Sequence, residues 1–161
     1  MWSAGCGRGT ARGEKQPGTL HARLARTPRG DTVRFVAAAE AHRCGAGTGI
    51  LLKGTTEGNG VLVWARSGVS VTSGDYPLLT RGDSTTARGA MVAVRIAAGP
   101  EGARGVTLDS GSVTLVRAGG RIGVAARGTG FEPRWGRRVE LEALFDSVPL
   151  AADTVSCLVK L

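Results

Sequence analysis

From Thr19 onward the chain breaks into short runs of alternating apolar and polar residues separated by glycine-containing turns, and that rhythm commits it to strands. Thr19 to Arg26 and Asp31 to Cys44 read as a first pair around the turn sequence Thr27-Pro28-Arg29-Gly30. Within the second, Ala37-Ala38-Ala39 leaves a short helical turn open, because alanine is the best helix former. Ile50 to Gly54 and Gly60 to Arg66 flank Thr55-Thr56-Glu57-Gly58-Asn59, and Asn59-Gly60 is the expected hairpin turn since both residues tolerate positive φ. Val61, Val63 and Ala65 face one way and Leu62 and Trp64 the other, which predicts a central strand. Pro77 restricts Tyr76 to Leu79 to an edge or a strand start. Ala90 to Ala97, Ser112 to Arg117, Arg121 to Arg127, Arg138 to Phe145 and Thr154 to Val159 continue the pattern as a meander. About eight to ten such strands predict an all-β fold, an antiparallel β-sandwich, with a small calycin-like β-barrel as the alternative.

Composition agrees with this reading. Twenty-six glycines and only seven aromatic residues leave a core of Val, Leu, Ile and Ala. At 161 residues the chain has room for one β domain, expected over 19–161, preceded by a flexible tether over 1–18 that carries no hydrophobic period. No apolar run approaches the roughly 20 residues of a transmembrane helix. The net charge is +8, carried by eighteen arginines against three lysines. These are spread along the chain and never form a block of about five or six like charges, so a solvating surface is expected and a nucleic-acid partner is not.

Cysteine placement points to a compartment. Ser3-Ala4-Gly5-Cys6 resembles the lipobox of bacterial lipoproteins, although Ser3 stands where that motif carries an aliphatic residue. The resemblance implies a lipidated Cys6, contact with a membrane surface through it, and, with Gly7 following, delivery to an outer membrane. The alternative is a chance tetrapeptide of small residues. An apolar signal stretch of about 7 to 15 residues would have to lie upstream of this sequence. Cys44 and Cys157, at the ends of two β-patterned runs, are expected to form a disulfide tying the last strand to an early one. Two buried thiols in a reducing compartment are the alternative. The expected location is therefore exported, in the periplasm or at the outer membrane as a lipoprotein, or else secreted.

The C-terminal third also resembles uncharacterised exported bacterial β-domains and lipoproteins. The resemblance rests on Gly111-Ser112-Val113-Thr114-Leu115, Gly119-Gly120, the glycine-rich strand Arg121 to Gly128, Phe145 and the late Cys157. It implies a β-meander and no activity.

Residues that could carry chemistry have simpler explanations. Gly82-Asp83-Ser84-Thr85 is similar to the nucleophile block of one esterase family, but no Asp-x-x-His follows, and His21 and His42 both lie upstream on expected strands. Gly45-Ala46-Gly47-Thr48-Gly49 precedes a strand, whereas a phosphate loop opens a helix. Arg29-Gly30-Asp31 and Arg81-Gly82-Asp83 spell an adhesion tripeptide within ordinary turn sequences. Glu140 and Glu142 share the polar face of a strand. No catalytic, cofactor or metal set is expected. One cluster stands apart: Phe131-Glu132-Pro133-Arg134-Trp135-Gly136-Arg137-Arg138 places an indole among guanidinium groups. Arg134, Trp135, Arg137 and Arg138 are accordingly the expected contacts to an anionic surface. Together these features predict a non-enzymatic exported module of the envelope, binding or structural, with an envelope protein or an anionic glycolipid as partner. The alternative is a carrier of a small apolar ligand.

Overall fold

The computed structural model describes residues 16–27, 30–45, 47–80, 82–85, 87–97, 99–133 and 136–157. Nine strands form one sheet: β1 (Gly18–Thr27), β2 (Thr32–Cys44), β3 (Gly49–Thr56), β4 (Asn59–Arg66), β5 (Gly74–Pro77), β6 (Gly89–Ala97), β7 (Ala103–Ala118), β8 (Arg121–Glu132) and β9 (Arg137–Val155). Each of β1, β2, β3, β4, β6, β7, β8 and β9 pairs antiparallel with the next, and β9 pairs back onto β1, so eight strands close a barrel. The all-β antiparallel reading holds, and of its two architectures the chain adopts the closed barrel. Closure leaves no central or edge position in the ring, so the two apolar faces of β4 become an inner and an outer wall.

The ring changes membership between its ends. We call the end with the Gly119–Gly120 turn and Cys44 the upper one. There β1 has already stopped at Gly18, and β9 runs on beyond Asp146 to pair in parallel with β2 through Ala41↔Leu150, Arg43↔Thr154 and Cys44↔Val155. On the far side β7 leaves β6 after Thr107 and takes β5 as its neighbour, with Tyr76 opposite Val113. A parallel bridge, Leu78↔Ala90, joins the chain just after β5 to β6. One strand enters as another drops out. The Cys44–Cys157 disulfide closes the upper β2–β9 seam, across 113 residues of sequence.

Strand bends are set by particular residues. β9 turns at Ser147, whose φ is 49°, and Arg121 Nε donates to Ser147 Oγ at 2.8 Å. The register of β7 against β8 shifts between Leu108 and Ser110, and there Gly111 and Gly128 approach so closely that a side chain on either would collide with the backbone of the other strand. The β3–β4 turn is Glu57-Gly58, with φ of 49° and 82°, and not Asn59-Gly60. Asn59 pairs with Thr56, and its Oδ1 accepts the Ala97 N–H at 2.9 Å. The alanine run of β2 is strand throughout. β7 and β9 are each longer than the alternation suggested, and Thr154 and Val155 end β9 instead of opening a separate strand. Of the rest of that expected strand, Ser156 and Cys157 are outside any strand, and residues 158 and 159 lie outside the described residues.

Inward side chains form one cluster that fills the barrel, with Leu20, Leu52, Val63, Leu115, Leu141 and Phe145 wholly buried. Each such side chain contributes about 1.5 to 3 kcal/mol relative to exposure. At the lower mouth the inward positions turn polar. Glu132 of β8, 2% exposed, faces Arg26 of β1 at 3.9 Å and Arg104 of β7 at 3.4 Å.

Candidate functional site

The core cluster occupies the interior, and the outer wall offers places where another molecule could sit. The register of β2, β1, β9 and β8 builds one such place. Arg34 lies opposite Arg23, Arg23 opposite Glu142, and Glu142 opposite Arg127, so four charged side chains form a row perpendicular to the strands. The adjoining row on the same face is Val36, His21, Leu144 and Ala125. Opposed side chains in such rows stand roughly 5 Å apart at Cβ. The two rows line an open trough of about 580 Å³. Val36 is 58% and Leu144 48% exposed, on the strands that flank β1 on either side.

Charge in this trough is unspent. Among the described residues Arg23, Arg34, Arg127 and Glu142 make no ion pair and no side-chain hydrogen bond, even where opposite charges face each other across the sheet. Glu140 and Asp146 lie exposed on the same face of β9. The surface therefore carries two exposed aliphatic side chains on either side of His21, with charges of both signs around them. The sequence carried one signal for it. Val36 and Leu144 are apolar at positions whose alternation calls for polar residues, Val36 following Arg34 and Leu144 sitting between Glu142 and Asp146. Only the register shows that they are neighbours across His21.

The residues expected to meet an anionic surface are differently placed. Arg134 and Trp135 lie outside the described residues. Arg137 is opposite Glu132 at the β8–β9 turn. Arg138 donates to Asp109 Oδ1 at 2.7 Å and to Thr129 Oγ1 at 2.8 Å, so its charge is already met within the barrel wall. Cys6 also lies outside the described residues.

Other candidate chemistry resolves into local structure. Asp83 Oδ1 accepts from the Thr85 N–H at 2.8 Å and its hydroxyl at 3.1 Å, and Arg66 donates to the Asp83 carbonyl at 2.9 Å. The acid of the Gly82-Asp83-Ser84-Thr85 block thus shapes its own turn. Gly45 N donates to Val155 O and Gly47 N to Cys44 O, so those amides of the glycine-rich loop serve the fold and not a phosphate. His42 spans the β2–β9 seam, with Nδ1 3.4 Å from Asp153 and Nε2 3.4 Å from Glu40. The Lys53 ammonium, hydrogen-bonded to Glu40, and then His42 hold the Glu40 carboxyl below its ordinary range, against a small opposing effect of burial. Among the described residues no group of three or more His, Cys, Asp and Glu side chains could hold a metal ion. No protein-family model matches the chain, no curated protein matches its sequence, and no solved structure matches its fold.

Proposed function

We propose that this barrel is an exported, non-enzymatic binding module of the bacterial envelope, and that the wall of β2, β1, β9 and β8 is its contact face for a protein partner. The observation that carries this reading is the exposed Val36 and Leu144 pair flanked by arginines and an acid that do not pair with one another. Protein interfaces have an apolar centre, a polar rim and an excess of arginine, and a rim of both signs suits a protein better than a uniform polyanion. The Cys44–Cys157 bridge supports a compartment that permits disulfides. The lipobox-like Ser3-Ala4-Gly5-Cys6 supports a lipid anchor there, twelve residues before β1 begins.

Two experiments test this. Photo-crosslinking residues placed at position 36 and, separately, at position 144 in cells should give the same discrete adduct, which R23E/R127E removes. Absence of an adduct, or the same adduct from position 95 on the opposite wall, would overturn the contact face. Expression with upstream sequence in a Gram-negative host should yield a mature chain beginning at acylated Cys6. An unmodified Met1 would remove the anchor.

A second reading, carriage of a small apolar ligand, is favoured by a separate observation. The wall of β3, β4, β6 and β7 holds a trough of about 530 Å³ over Leu62 and Ala93, within the size range of small-molecule sites. This space lies on the outside of the barrel wall.

A further inference from the structure

The trough over Leu62 and Ala93 contains one charge that the wall does not neutralise. Arg95 of β6 stands opposite Gly60 of β4 on one side and Gly105 of β7 on the other, so neither neighbouring strand offers it a side chain. A Cβ at Gly105 would meet nothing within 4 Å, which leaves the space beside the guanidinium open. Among the described residues Arg95 makes no ion pair and no hydrogen bond. The other cations that line the trough are already met, Lys53 at 3.1 Å from Glu40 and Arg104 at 3.4 Å from Glu132. One row along the strands from Arg95, about 7 Å away, lie Leu62 and Ala93, opposite each other. They present an apolar surface in line with the free charge.

We infer that this trough binds a small monoanionic amphiphile, a carboxylate carrying an aliphatic chain, with the carboxylate on Arg95 and the chain over Leu62 and Ala93. A guanidinium presents its N–H groups as a planar fork that matches a carboxylate with two parallel hydrogen bonds. Such bonds are strong where apolar neighbours limit water, and the ligand's single negative charge answers the single unpaired positive one. The aliphatic chain supplies the affinity that one surface ion pair lacks. The inference rests on the carrier reading and adds the anionic head group to it.

Calorimetric titration of the full chain with octanoate and with 1-octanol separates the two ideas. Octanoate should bind, and at least tenfold more tightly than 1-octanol. Arg95→Gln should weaken octanoate at least tenfold and leave 1-octanol unchanged. Gly105→Leu, which fills the open side, should weaken both. Arg43→Gln, in the β2–β9 seam, is the control for loss of general charge and should alter neither. Equal binding of the two ligands, or octanoate binding that Arg95→Gln leaves intact, would overturn the head-group assignment while the carrier reading stands. Failure of both ligands to bind would overturn both.

Discussion

Leu20 of β1 packs over Gly54 of β3 although the two strands are not neighbours: a Cβ on Gly54 would stand 2.8 Å from Leu20 Cδ2. β2 lies between them and offers only Ala37, Ala39 and Ala41 to the interior at that height, so the leucine leans across a low wall into the space glycine leaves. Large and small residues are matched across three strands. Gly54→Ala should destabilise by about 1 to 3 kcal/mol through overpacking, and Leu20→Ala by about 2 to 5 kcal/mol through a cavity. Because the two share one space, the double variant should lose less than the sum, by about 1 kcal/mol in a urea-denaturation cycle. Strict additivity would show that Leu20 does not depend on Gly54.

The Cys44–Cys157 bridge closes a loop of 113 residues. In the chain-entropy model a loop of that size contributes about 4 to 5 kcal/mol, chiefly by restricting the unfolded chain. Cys44→Ala/Cys157→Ala should lose most of this in equilibrium unfolding. The upper β2–β9 seam has only a few parallel pairs, so in the reduced protein the amides around 150–155 should exchange with solvent before those of 139–145. Uniform loosening would show that the bridge stabilises the barrel only globally.

Glu40 gives a pH dependence whose sign is fixed. Lys53 and His42 lower its folded-state pKa, so it contributes stability above the ordinary glutamate pKa and loses it as the pH falls through the lowered folded value. Its side chain is 60% exposed, so solvent and salt screen the effect to about 0.5 kcal/mol at most. Glu40→Gln should therefore be slightly less stable than the parent at about pH 6 and indistinguishable from it at about pH 2.5. Added salt should narrow the gap at the higher pH. A gap that persisted in acid would assign the loss to packing.

Much of the barrel is legible in the alternation, which is clear in β1 from Thr19 to Leu24 and in β9 from Val139 to Ala143, whereas β4 and β6 are apolar on both faces. The same period cannot distinguish a closed sheet from two stacked ones, since both bury one face of every strand. Closure is set by bends at Gly111 and Ser147, and a serine at positive φ carries no marker in the sequence. The Asn59-Gly60 pair misled for a related reason: Glu57-Gly58 supplies the same backbone geometry two residues earlier, and pairing of Thr56 with Asn59 decides between them. The outer rows were illegible because Arg34, Arg23, Glu142 and Arg127 come from four separate strands. Their adjacency depends on register, which alternation leaves free by any even shift.

The lower mouth holds the sharpest test of how the barrel tolerates buried charge. Glu132 is 2% exposed and points inward, with Oε1 3.4 Å from Arg104 and Oε2 3.9 Å from Arg26. Oε2 has no hydrogen-bond partner among the described residues, so the carboxylate is compensated mainly by charge and not by a full set of bonds. Glu132→Gln keeps the shape and removes the anion that both Arg26 and Arg104 face. It should cost about 3 kcal/mol in chemical denaturation. Replacing all three together, Arg26→Met, Glu132→Leu and Arg104→Met, should recover most of that loss, because apolar groups of similar volume need no compensation. If Glu132→Gln costs under about 1 kcal/mol, water at the mouth is meeting the charges, and the triple variant should then bring no recovery.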